Sequence, residues 1–147
     1  MDVTADLDAP VAPAAMYRWV ADLERYPQWL EIVTRAVVAE PAPADAGPAW
    51  FVQLRGKIGP LSRSKQLRMV RTVDDAPHAV TFVRRETDGQ NHSPWVLQAT
   101  IDQRDGSSHL AMRLHYGGGL FEPIVERLLR SEIDGARRRL AALVLTD

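Results

Sequence analysis

From Leu120 to Leu145 one apolar stripe runs without a break. Phe121, Val125, Leu128, Leu129, Ile133, Ala136, Leu140 and Leu143 recur at spacings of three and four. That period lays them along one face of a single long helix. Glu126 with Arg130, and Asp134 with Arg138, stand at i,i+4 in the favourable orientation and support its outer side. A helix of this length cannot bury its stripe on itself. The rest of the chain must therefore offer it an extended apolar surface.

The preceding residues supply one. In 2–8, Val3, Ala5 and Leu7 alternate with Asp2, Thr4, Asp6 and Asp8, a half-buried strand. Pro13 opens a helix whose stripe is Met16, Trp19, Val20 and Leu23, and Pro27 stops it. Tyr26 to Leu30 makes a short second helix or turn. A strand is expected over Ile32 to Glu40, then a turn-rich loop, PAPADAGP, over 41–48.

Further strands are expected over Ala49 to Lys57, Ser62 to Val73, His78 to Thr87 and Ser93 to Gln103. The last, holding Leu110, Met112, Leu114 and Tyr116 on one face, follows the hairpin signal Asp105-Gly106. Gly117-Gly118-Gly119 releases the sheet into the long helix. The order is strand, two helices, six strands, long helix: an α+β chain with an antiparallel sheet of six to seven strands. A long helix laid over a curved sheet leaves a space that a ligand can fill.

The sequence has 147 residues, which sets the expectation of one domain over 1–147. Lys plus Arg is 18 against 19 Asp plus Glu, so the basic surplus of a nucleic-acid binder is missing. A local cluster stands at Arg137, Arg138 and Arg139. There is no cysteine, so thiolate catalysis and cysteine-ligated zinc are excluded. No HExxH, GxSxG or phosphate-loop pattern occurs, and neither a metal nor a cofactor is implied. The N-terminus lacks the pattern of a signal peptide, and no run is apolar enough to span a bilayer. A cytoplasmic protein without membrane insertion is expected.

Several local features are similar to those of the START-related superfamily, and within it the polyketide cyclase/dehydrase family. They are Asp8-Ala9-Pro10 before helix one, the run Asp22-Leu23-Glu24-Arg25-Tyr26-Pro27-Gln28-Trp29, Trp95 opening a central strand, and the long terminal helix. The resemblance covers nearly the whole chain. It implies a helix-grip fold, in which a curved antiparallel sheet wraps around the C-terminal helix. It implies no single function, because carriers, receptors, cyclases and chaperone co-regulators share that fold.

Strand parity nominates the pocket. Val52, Leu54, Leu67, Met69, Phe82, Trp95, Leu97, Met112 and Leu114 face inward, with Leu128 and Glu132 on the helix opposite. Arg84 and Glu86 share the parity of Phe82, so Arg84 can anchor an acidic ligand group. Tyr116 and Trp95 can orient a ligand through O–H and N–H. The catalytic candidates are Arg84, Glu86, Glu132 and His92, the last in a loop where an imidazole can act as acid or base. His109 and His115 share a strand face but are about 20 Å apart along it, too far to share a metal.

Three functions follow. The first is binding of a hydrophobic small molecule such as a lipid, polyketide or isoprenoid. The second is aromatase/cyclase chemistry in the same cavity. The third is a protein-interaction module using a sheet edge or the Trp29 loop.

Overall fold

The computed structural model describes residues 1–58, 60–117 and 122–146. Gly59, Gly118, Gly119, Leu120 and Phe121, and with them the expected glycine release and the first turn of the apolar stripe, lie outside the described residues. The strands are β1 (Asp2–Ala9), β2 (Val33–Ala39), β3 (Ala49–Ile58), β4 (Leu61–Asp75), β5 (Ala79–Arg84), β6 (Trp95–Arg104) and β7 (Ser107–Tyr116). The helices are α1 (Pro13–Val20), a 3₁₀ helix (Leu23–Gln28) and α2 (Glu122–Thr146). The strands form one antiparallel sheet in the order β1-β7-β6-β5-β4-β3-β2. Register shifts between Val33 and Arg35 and between Arg71 and Val73 mark bulges, which bend a sheet. The fold is a helix grip.

Helix one is shorter than its stripe suggests. It ends at Val20, and Leu23 belongs to the 3₁₀ helix with Pro27 inside it. The break falls at Asp22, whose carboxylate accepts the Glu24 N–H at 3.0 Å. A short acidic side chain competes for the backbone in this way and favours a cap over a helix interior. Tyr26 then anchors the 3₁₀ helix. It is 1% exposed, and its hydroxyl donates to Val20 O at 2.8 Å.

β5 ends at Arg84, short of Thr87. Beyond it the Arg85 N–H still donates to Arg68 O at 2.9 Å, but the Arg68 N–H donates to the Glu86 carboxylate at 3.3 Å, a side chain in place of a backbone carbonyl. Arg68 faces outward yet is buried. The 41–48 loop folds over it: Arg68 donates to both Asp45 carboxylate oxygens, at 3.0 and 2.6 Å, and to Glu40 O at 2.9 Å. Beneath the loop Ala39, Ala49 and Val70 form a small second core. The expected hairpin at Asp105-Gly106 is present, with φ of 39° and 82°, the positive values a tight hairpin turn requires. On α2, Arg130 reaches Glu126 at 3.0 Å, but Asp134 pairs with Arg137 at 3.8 Å rather than with Arg138.

Candidate functional site

The main core is the inner face of the sheet closed by α1, the 3₁₀ helix and α2. Between β1 and α2 it leaves a cavity of about 120 Å³. Val3 and Leu7 of β1, Leu97 of β6 and Leu110, Met112 and Leu114 of β7 form its sheet side. Tyr26, Trp29 and Leu30 close one end; Leu129, Ile133, Ala136 and Leu140 of α2 form the roof. These walls are apolar. Such a space stays dry and favours an apolar occupant, as water needs two or more polar partners.

Of the expected lining residues, Leu97, Met112 and Leu114 border this cavity. Val52, Leu67, Met69 and Phe82 are buried in the same core but do not border it. Phe82 is packed edge-on by Trp50 and Tyr26, with ring centroids 5.7 and 6.3 Å away. Leu54 packs against the core, and Leu128 lies over Gly56, where α2 crosses β3. The cavity therefore sits on the β1 side of the grip. Val3, Leu7, Tyr26, Leu110 and the roof were not nominated from sequence. Their signals, period two in β1 and helical spacing in α2, say that they are buried but not that they meet across a gap.

The polar candidates gather elsewhere. Arg84 donates from Nε to Glu86 at 2.7 Å and from a terminal nitrogen to Ser93 O at 3.2 Å. Its other terminal nitrogen is 3.4 Å from His92 Nδ1, and His92 Nε2 is 2.8 Å from Asp88. Asp88 is held below the usual carboxylate range, first by the Gln90 N–H and then by His92. Arg84, Glu86 and His92 thus form one network at the end of β5, with Arg84 opposite Met69 in register. Glu132 stands apart from it, paired with Arg139 at 3.6 Å.

Beside the network lie Trp95 and Tyr116, with centroids 5.2 Å apart. The Tyr116 hydroxyl donates to Met1 Sδ at 3.2 Å. The Trp95 indole N–H is buried and has no hydrogen-bond partner among the described residues. An unmet buried donor is costly and uncommon. Lys65 places its ammonium 5.9 Å from the Trp95 ring, and burial, then Arg84, lower its pKa. Trp29 is buried, with its N–H on Trp19 O at 3.3 Å, so its ring offers no docking surface. Among the described residues no group of three or more His, Asp or Glu is placed to hold a metal, and no helix is long and apolar enough to cross a membrane.

A curved seven-stranded sheet gripping a long helix defines the START-like class. The chain belongs to the family described as polyketide cyclase / dehydrase and lipid transport, whose model matches residues 1–145. No curated protein matches the sequence. Among solved structures it is similar to a protein from Thermus thermophilus, with TM-score 0.74 and 19% identity over 99% of this chain and 98% of that one. It is also similar to a START superfamily protein from Mycobacterium smegmatis (TM-score 0.68, 15% identity, 99% and 97% covered). A third is the di-domain ARO/CYC protein StfQ of the steffimycin biosynthetic pathway (TM-score 0.71, 14% identity), of which 51% is covered by 99% of this chain. At these identities the likeness is one of fold.

Proposed function

We propose that this chain, acting as a single domain, binds a hydrophobic small molecule in the cavity between β1, β7 and α2. The observation that carries the reading is a gap with apolar walls between the sheet and α2, bordered by core residues. Protein interiors are close-packed, so a gap of this kind costs stability unless something fills it. The family description, which includes lipid transport, supports the same reading. The ligand class extends to lipids, isoprenoids and polyketides. Native mass spectrometry of the purified protein, with solvent extraction of anything released, tests it. A co-purifying apolar compound, or saturable binding of a fatty acid, quinone or aromatic polyketide, is expected. A clean mass with no binding to any of them rejects it.

The orphaned Trp95 N–H favours a second reading, cyclase chemistry. That donor can receive an enolate oxygen, while His92 or Glu86 moves the proton during aldol closure and loss of water. The reading expects a poly-β-ketone to give a different product distribution with the protein than without it. Trp95→Phe should abolish the difference; identical products in both reactions exclude it.

A further inference from the structure

We infer that the mouth of the β1–α2 cavity is a carboxylate subsite, so that the preferred ligand is an amphiphile with an apolar tail and an anionic head. The inference rests on the cavity being the ligand site.

Two residues bordering the cavity, Asp6 and Arg137, carry charge. Asp6 belongs to the outward parity of β1, and its carboxylate stands 3.8 Å from His109 on the outer face. What Asp6 turns to the cavity is its backbone. The ladder shows how. Met1 and Tyr116 exchange both backbone bonds, each at 2.9 Å. In an antiparallel pair this repeats every second residue, so Val3, Ala5 and Leu7 face β7 with their N–H and C=O groups. Those of Thr4 and Asp6 point to the open edge. Arg137 meets that edge, donating from Nε to Asp6 O at 2.7 Å.

The mouth therefore presents the main-chain N–H and C=O groups of Thr4 and Asp6, with Asp6 O already taken, and the Arg137 guanidinium as the positive charge among the lining residues. Arg137 has five N–H donors, and Asp6 O takes one. Its nearest carboxylate, Asp134, is 3.8 Å from one terminal nitrogen, beyond hydrogen-bond reach. The remaining fork suits a carboxylate, which it can engage with two parallel bonds.

Cavity size points the same way. At about 120 Å³ the space is smaller than the roughly 150 Å³ engineered cavity that takes one benzene. It takes the end of a tail and leaves the head, with the carbons next to it, outside. A charge drawn in among apolar walls would lose its solvation with nothing in return. Held at the mouth, it keeps water on one side and Arg137 on the other.

Titration calorimetry of the full chain with octanoate and 1-octanol tests this, since the tails match and the heads differ in charge at pH 7. Octanoate should bind about fivefold more tightly at low salt, a modest factor because Arg137 is half exposed. Arg137→Met, which keeps much of the apolar stem, should erase the preference, read as the ratio of the two affinities within the same variant. Arg137→Lys should retain part of it. If Arg137→Met does not fold, salt supplies the control: the wild-type preference should shrink between about 20 mM and about 0.5 M. Equal binding of the two ligands, tighter binding of 1-octanol, or a preference that survives Arg137→Met or ignores salt overturns the inference alone. Binding of neither ligand overturns it together with the cavity reading.

Discussion

Arg68 and Asp45 show how much one residue pair can decide. Arg68 stands on the outer face of β4, where alternation places a solvated charge, yet it is 2% exposed. Asp45 reaches it from the 41–48 loop, and with the Ala42 N–H as a second donor its pKa falls from 3.8 to about 2, Arg68 being the larger cause. A carboxylate depressed on folding adds stability that is present above its unfolded pKa and fades as pH drops through the folded value. Asp45→Asn should therefore cost about 1–2 kcal/mol at pH 7. The gap to wild type should close between about pH 4 and about pH 2. Urea unfolding across that range reads both. A gap that persists at pH 2 would mean the loop is held by something other than this charge. Nothing in the sequence singled the pair out: alternation gives the side of a strand a residue takes, and what later covers that side is a tertiary fact.

At the scale of elements, α2 meets β3 at Gly56. A Cβ added there would stand 2.0 Å from Leu128 Cδ2 and 3.1 Å from its Cγ. Gly56→Ala must push Leu128 off its seat, which should cost about 1–3 kcal/mol. In a Leu128→Ala background the obstacle is gone. The same substitution should then be neutral or stabilise by up to about 1 kcal/mol, since alanine restricts the unfolded chain more than glycine. A double-mutant cycle by denaturant unfolding measures the coupling. Simple additivity would show that α2 does not rest there. The sequence places Gly56 inside the strand expected over Ala49 to Lys57, without marking it as the point where α2 crosses. Its elements were otherwise legible. The long helix and the other strands follow from periods of three to four and of two, and the Asp105-Gly106 turn from its residue types, while the strand over Ile32 to Glu40 shows no clear alternation. The ends were less so, because Asp22 and Glu86 terminate α1 and β5 through side-chain bonds that periodicity does not register.

The whole molecule fixes where the space lies. Parity put an inward face on each strand, and the residues nominated on β3, β4 and β5 are in the core. It could not say that β1 would close the sheet beside β7, leaving α2 to span from β3 to β1. The gap opens at that last junction, so Leu97, Met112 and Leu114 border it while Phe82 is packed solid by Trp50 and Tyr26. Ala136 is the small residue of the roof and 5% exposed. Ala136→Leu adds apolar volume where the core has none, so it should stabilise the empty protein by about 1 kcal/mol. It should also remove the response to ligand. Wild type held at about 100 times the Kd of 1-octanol should gain about 2.7 kcal/mol by linkage, and the variant close to none. Thermal melts of both proteins with and without 1-octanol measure the four values. A variant that is less stable than wild type yet still shifts with ligand would place the binding space away from Ala136. A variant that is more stable and no longer shifts would mean that leucine occupies the volume the ligand fills.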